Sequence, residues 1–387
     1  MIWIGLWVFF FLCSYILYPQ LIALLAGKRK VLPYKSYLDT EELPQVAVFM
    51  SLHNEEKVLA RKLESILQSN YPKEKVSVYI GLDDCNDRSE QIVRDVKKLY
   101  PDNVHYISTE RRGKPQMLNY LQEHFRPVET VSVFTDANVF FTPDTIFELV
   151  RYFKDDDIGL VDSRFQLSRE IVSHELEGEY LNFEQTLKFN EGKKWGVMQG
   201  PFGGCFAIRT ALYQPVPDNF LVDDFFISMC ILRKGYKGIL NPEAIVIEEV
   251  HTSWKDEFRR KSRISAGNFQ NLSYFSDILI KPFTPLAFSW FFHKVVRWVL
   301  PILLLPVLLL GWVEMYLLNE PAWLPIITLI LILGGASLLY ILHKLNLQSR
   351  TIERLSYFIY INLAMLQGFI IYIKGIKSNV WKPTQRK

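Results

Sequence analysis

The feature that most restricts this chain is where its apolar residues fall. Residues 2–25 form an almost unbroken apolar run, long enough as a helix to cross roughly 30 Å of hydrocarbon. Three further runs, 295–318, 323–342 and 355–373, crowd the other end. Within lipid every backbone polar group must be satisfied inside the protein, which confines such stretches to helices. The overall 49 % hydrophobic content hides this segregation, because the stretch between the two ends has ordinary soluble composition. The expected organisation is a transmembrane helix at 1–27, an α/β domain at 28–280, an interfacial helix at 281–294, about three transmembrane helices within 295–375 and a basic tail at 376–387.

The flanks of the first run argue for an anchor over a signal peptide. No basic segment precedes it, and Gly27-Lys28-Arg29-Lys30 follows. Basic residues prefer the cytosolic side, so the chain after residue 27 is expected in the cytosol. Pro301 and Pro306 are tolerable in a membrane helix. One conflict arises. A single span before the domain and three after it would put the C-terminus outside, yet the tail carries Lys374, Lys377, Lys382, Arg386 and Lys387. Either one C-terminal segment is re-entrant or residues 1–25 do not cross fully. A net charge of only +3 argues against binding nucleic acid by bulk electrostatics. The four cysteines are widely spaced, which points to a reducing compartment without disulfides or structural zinc.

From Gln45 onward, short apolar runs alternate with amphipathic stretches. Val46–Met50, Val76–Leu82, Val104–Ser108 and Val131–Thr135 read as buried strands. Helices are expected over Glu55–Leu67, Glu90–Leu99 and Gln116–His124. Such alternation predicts a largely parallel sheet with helices on both faces, and ligands in these sheets bind beyond the carboxyl ends of the strands. Asp83 and Asp136 fall at such ends.

Four constellations carry chemical potential. Asn54 and Glu55 after the first strand, with Asp83 and Asp87 after the second, can hold a nucleobase and ribose, or simply cap the helices that follow. Asp136 and Asn138 leave a strand at i and i+2, a spacing that can face one hard cation bridging a diphosphate, or that turn chemistry explains. Asp223 and Asp224 sit side by side in Leu221-Val222-Asp223-Asp224-Phe225-Phe226. Adjacent carboxylates in apolar surroundings raise one pKa, the condition for a general base, though a helix cap is the plainer alternative. Arg260 and Arg263 share a helix face and can neutralise a departing diphosphate or touch lipid headgroups.

In this order and spacing the chain resembles the family 2 glycosyltransferases with the GT-A fold. It is similar to their membrane-bound branch, which includes the cellulose, hyaluronan and poly-N-acetylglucosamine synthases. The resemblance covers about residues 44–270. It implies that Asn54, Glu55, Asp83 and Asp87 bind the nucleotide and that Lys114, in Gly113-Lys114-Pro115-Gln116-Met117-Leu118-Asn119, approaches the donor. It makes Asp136-Ala137-Asn138 the metal motif for Mg²⁺ or Mn²⁺, with Asn138 in place of the second aspartate. Gly203, Gly204 and Cys205 lie in the acceptor-side segment, Asp224 beside Asp223 becomes the catalytic base, and Arg260 and Arg263 brace the leaving group. In the processive synthases the last motif is Q-R-x-R-W; here it reads Arg260-Lys261-Ser262-Arg263-Ile264. Loss of its tryptophan favours adding one or a few sugars over long-chain synthesis.

The resemblance therefore implies an integral protein of a bacterial inner membrane with its catalytic domain in the cytosol. It would transfer a sugar with inversion from a nucleotide-diphosphate donor, UDP-linked by preference, to a lipid-linked or saccharide acceptor. A non-catalytic partner subunit of a polysaccharide-export assembly is the alternative.

Overall fold

The structure, a computed structural model, describes residues 2–28, 31–167, 175–248, 254–318 and 350–380, with isolated helical positions between 323 and 334. The span expected at 323–342 and the tail from 381 onward thus lie largely or wholly outside the described residues. The chain forms two compact units. One comprises Met1–Ile22, His174–Tyr180 and Ser253–Gly375; the other comprises Ala23–Ser173, Leu181–Thr252 and Ile376–Lys387.

The second unit is the α/β domain. Its strands are β1 (Val46–Leu52), β2 (Val76–Asp83), β3 (Val104–Thr109), β4 (Val131–Thr135), β5 (Val139–Phe141), β6 (Ile158–Leu167), β7 (Cys205–Arg209) and β8 (Lys237–Glu248). They form one sheet in the order β3-β2-β1-β4-β7-β6-β8-β5. The half β3-β2-β1-β4 is parallel, β7 runs against both β4 and β6, and β6 is parallel to β8. Helices follow the parallel strands: α1 (Leu59–Leu67), α2 (Ser89–Leu99) and α3 (Lys114–Phe125), then α4 (Thr145–Val150), α5 (Glu175–Trp195) and α6 (Asp223–Arg233).

The register explains why the functional loops meet. Val46 pairs with both Val76 and Val131, so β2 and β4 stay level with β1. One row of rings crosses the sheet at that register. His105, Tyr79, Phe49, Phe134 and Phe206 stack with neighbouring centroids 5.1–5.6 Å apart, and each successive pair occupies directly opposed positions. Cross-strand aromatic pairs of this kind resist register slip, which would flip every side chain to the opposite face. The carboxyl ends of β1, β2, β3 and β4 therefore lie along one edge. Thr135 opposes Cys205, so antiparallel β7 starts at that same edge.

Among the described residues, three helices are long and apolar enough to cross a membrane by length and composition: Ile2–Ala26, Pro285–Leu317 and Arg354–Ile373. The interfacial helix and first C-terminal span expected as separate elements run as one helical stretch from Pro285. Lys294 and Arg297 dilute its hydropathy, but Arg297 is buried and donates from Nη2 to the Ser14 carbonyl at 3.0 Å. Both partners sit at or beside π turns, Cys13–Leu17 and Phe291–Val295, and such turns free backbone carbonyls for other donors. Helix α7 (Trp254–Tyr274) packs on the last helix, Arg350–Ile373. A Cβ at Gly368 would strike Ser265, and the Ser265 hydroxyl donates to the Met365 carbonyl at 3.1 Å. Small residues permit this close approach.

Candidate active site

Asp83 ends β2 with only 1 % of its surface exposed. Its carboxylate accepts from Arg111 Nη1 at 2.6 Å, from the Arg112 amide at 2.6 Å and from the Gly113 amide at 3.0 Å. A buried carboxylate needs such partners, and here they clamp the loop after β3 into position. Gly113 adopts φ +82, a conformation that glycine reaches without strain. Asn54 has a left-handed φ of 56 and exchanges hydrogen bonds with Asn86 at 2.8 and 2.9 Å. Asp87 accepts the amides of Glu56 and Ser89, joining the loops after β1 and β2. The Glu55 amide donates to the Ser89 hydroxyl at 2.9 Å. Asn54, Glu55 and Asp87 thus join the loops after β1 and β2, and neither α1 nor α2 receives a side-chain hydrogen bond from its N-cap residue.

Lys114, opening α3, is the hub. Its Nζ lies 2.7 Å from Asp136 Oδ1 and 3.9 Å from Asp223 Oδ2, and it donates to the Gly203 carbonyl at 3.0 Å. Burial alone would favour the neutral amine, but Asp136, Asp223 and Asp224 outweigh it and hold the Lys114 pKa above its ordinary value. Three carboxylates, from the end of β4 and the first turn of α6, thus gather around one ammonium. Asp83 joins through Gly113, next in sequence.

Asp224 is half-buried at the start of α6. Desolvation, then the neighbouring Asp223 carboxylate, push its pKa up to about 6, against the pull of Lys114. A carboxylate in this state takes a proton readily near neutral pH. Asp223 is buried, and its Oδ2 has no hydrogen-bond partner. Gly203 leaves the space that Asp224 occupies, since an added Cβ would collide with Asp224 Oδ2. Gly203→Ala is expected to push the carboxylate aside, lowering kcat about 10²-fold, the typical result of a misplacement near 1 Å. The check is kcat beside the thermal midpoint, which should barely move.

Several residues that sequence reasoning missed hold this arrangement. Lys62 is fully buried beneath the Asp136–Asn138 turn. Its Nζ donates to Thr135 Oγ1 at 2.8 Å and to the Val139 carbonyl, and it lies 3.8 Å from the Phe141 ring centre. Burial pulls its pKa down to about 7, opposed by Cys205 and Asp136. Thr135 Oγ1 and the Asp136 amide both donate to the Gly204 carbonyl, at 3.1 and 3.0 Å, which ties the two loops together. Asp162, fully buried on β6, accepts the Phe202 amide at 2.7 Å and pairs with Lys188 of α5 at 3.3 Å. The signal was available: Lys62 lies on the same helical stripe as Leu59, Leu63 and Ile66, and Asp162 interrupts the apolar run Gly159-Leu160-Val161. Cys205, fully buried, has its thiol pushed up to about 12 by burial and serves as packing.

Arg260 and Arg263 lie on α7 in the other unit. Arg260 makes a two-point ion pair with Glu257 at 3.0 and 3.1 Å, and Arg263 is half-buried on the same helix.

Asp136 and Asn138 provide hard oxygen donors of the kind Mg²⁺ and Mn²⁺ prefer. Asn138 is 8 % exposed, and its Nδ2 donates to Glu248 Oε1 at 3.4 Å, which keeps Oδ1 for another partner. Among the described residues, no group of three or more His, Cys, Asp or Glu has metal-holding geometry, so a cation here would rest on mixed carboxylate and amide donors. That donor set fits a divalent ion.

A sheet of this order, with acidic loops along the carboxyl edge of its parallel half, is the GT-A glycosyltransferase fold. The mannosyltransferase PcManGT from Pyrobaculum calidifontis, solved in complex with GDP-Man and Mn²⁺, shares it at a TM-score of 0.68 and 20 % identity, with 96 % of this chain and 98 % of that one covered. Glycosyltransferase like family 2 matches residues 44–267, more than half of the chain, and the chain belongs to that family. A probable glycosyltransferase of Bacillus subtilis, YdaM, is 24 % identical over 249 residues, covering 59 % of this chain and 56 % of its own length. A beta-monoglucosyldiacylglycerol synthase of Synechocystis is 26 % identical over 276 residues, covering 67 % of this chain and 53 % of its own length. The chain spans about half the length of the curated relatives it matches.

Proposed function

We propose that this protein is a membrane-anchored, inverting glycosyltransferase that moves one sugar from a nucleotide-diphosphate donor to a hydroxyl of a lipid acceptor. The observation that carries the reading is the gathering of Asp136, Asp223 and Asp224 around Lys114 at the edge where the glycine loop begins. The lipid acceptor is favoured by three apolar helices of membrane-crossing length, by Ile264 in the place of the stacking tryptophan, and by the diacylglycerol named in the synthases to which the chain is similar.

The nucleotide lies over the loops after β1, β2 and β3, whose shape Asp83 and Asp87 maintain. UDP is the first candidate. Asp136 and Asn138 would hold a divalent cation, whose charge would offset that of the departing diphosphate. Lys114 adds a second positive charge beside it. Asp224 Oδ2 removes the acceptor's hydroxyl proton while the oxygen attacks the anomeric carbon from the face opposite the diphosphate. The new C–O bond forms as the bond to phosphate oxygen breaks, inverting that carbon.

The test offers the detergent-purified full chain UDP-glucose, UDP-galactose, UDP-N-acetylglucosamine and GDP-mannose, each with diacylglycerol or ceramide, both of which carry a free hydroxyl. Nucleotide release with a single-sugar lipid product is expected. Polymer would overturn the lipid assignment, and no release from any donor would overturn the enzymatic one.

A further inference from the structure

The turn Asp136-Ala137-Asn138 brings one carboxylate to a place already holding two basic side chains. Lys62 lies buried beneath it, donating to the residues at both ends of the turn, Thr135 and Val139. Lys114 stands 2.7 Å from Asp136 on the open side. A divalent cation there meets a donor set short of negative charge, since hard cations take much of their affinity from the number of anionic oxygens. Strand β8 brings another. Val139 of β5 pairs directly with Glu248, the last residue of β8. Glu248 therefore lies beside Asn138, and its Oε1 accepts the Asn138 Nδ2 proton at 3.4 Å.

We propose that Glu248 supplies the second carboxylate of the cation site, in the role that Asn138 cannot fill. This rests on the proposed cation site at Asp136 and Asn138. The amide turns its nitrogen towards Glu248 and leaves its oxygen for a cation, so one contact would both aim the neutral ligand and deliver the missing charge. The carboxylate arrives from a strand that follows the turn by 110 positions, which no local motif reveals.

The experiment is Mn²⁺ binding to the full-length detergent-purified chain with UDP present, read by electron paramagnetic resonance without turnover. Glu248→Gln keeps an oxygen acceptor for Asn138 but removes the charge. It is expected to weaken Mn²⁺ at least about 10-fold, the lower end of what loss of a metal-site partner costs. Adding Asn138→Asp to Glu248→Gln should restore affinity to near the wild-type value. Glu248→Asp, which retains the charge, should fall between and covers the event that the glutamine variant does not fold. Wild-type affinity in Glu248→Gln alongside lost binding in Asp136→Asn would overturn this inference alone. A loss in Glu248→Gln that Asn138→Asp does not restore would also overturn it, reducing Glu248 to an orienting contact. Wild-type affinity in Asp136→Asn itself would overturn the cation site and, with it, this proposal.

Discussion

Asp224→Asn is expected to lower kcat by about 10²–10⁴-fold, the usual contribution of a positioned general base, while donor affinity stays within a few-fold of the wild type. Asparagine is nearly isosteric and still reaches the Phe225 amide that Asp224 Oδ1 accepts at 2.8 Å, so α6 should start at the same place. What disappears is the capacity to take a proton. The pH profile of the wild type supplies the independent sign. The base must be ionised, and its pKa is raised to about 6 by burial and by Asp223. The rate should therefore climb with pH through that value and fall below it. A variant with normal turnover, or a wild-type rate flat between pH 5 and 7, would remove Asp224 from the role.

Removing the divalent cation should cost about as much. Chelation is expected to reduce turnover by about 10³-fold or more, since several kcal/mol of leaving-group stabilisation correspond to that factor. Added Mn²⁺ or Mg²⁺ should restore it. Asp136→Ala should mimic chelation and resist restoration, because Asn138 alone offers one neutral oxygen. That substitution also frees Lys114 from its 2.7 Å partner, so donor affinity should be measured separately by nucleotide titration. Undiminished turnover after exhaustive chelation would dismiss the cation. The same result with Asp136→Ala would move it elsewhere.

Much of this arrangement was legible in the residues. The strands Val76–Asp83 and Val131–Thr135 announce themselves as nearly unbroken buried runs, and their carboxyl ends locate Asp83 and Asp136 at a ligand-binding edge. The long helices at both ends follow from apolar length alone. What periodicity could not convey was the partner of each charge. Asp83 reads as a ligand for a base, and nothing in its spacing announces the three donors from residues 111–113 through which it also anchors the neighbouring loop. The single helix from Pro285 to Leu317 was equally hidden. Arg297 looks like an interfacial cation until the Ser14 carbonyl, on a distant helix, is seen to bury it.

By itself, then, the chain's order of residues determined the elements, their faces and the edge where chemistry must lie. These depend on spacing within a few turns of chain, where hydrophobic burial acts position by position. Only the tertiary structure decided which charged groups meet. Lys62 finds Thr135 seventy-three positions away, and Asn138 finds Glu248 across a strand pair. Ion pairs and hydrogen bonds need contact within about 4 Å, and contact at that range between remote segments is created by the sheet, not by any one stretch of sequence.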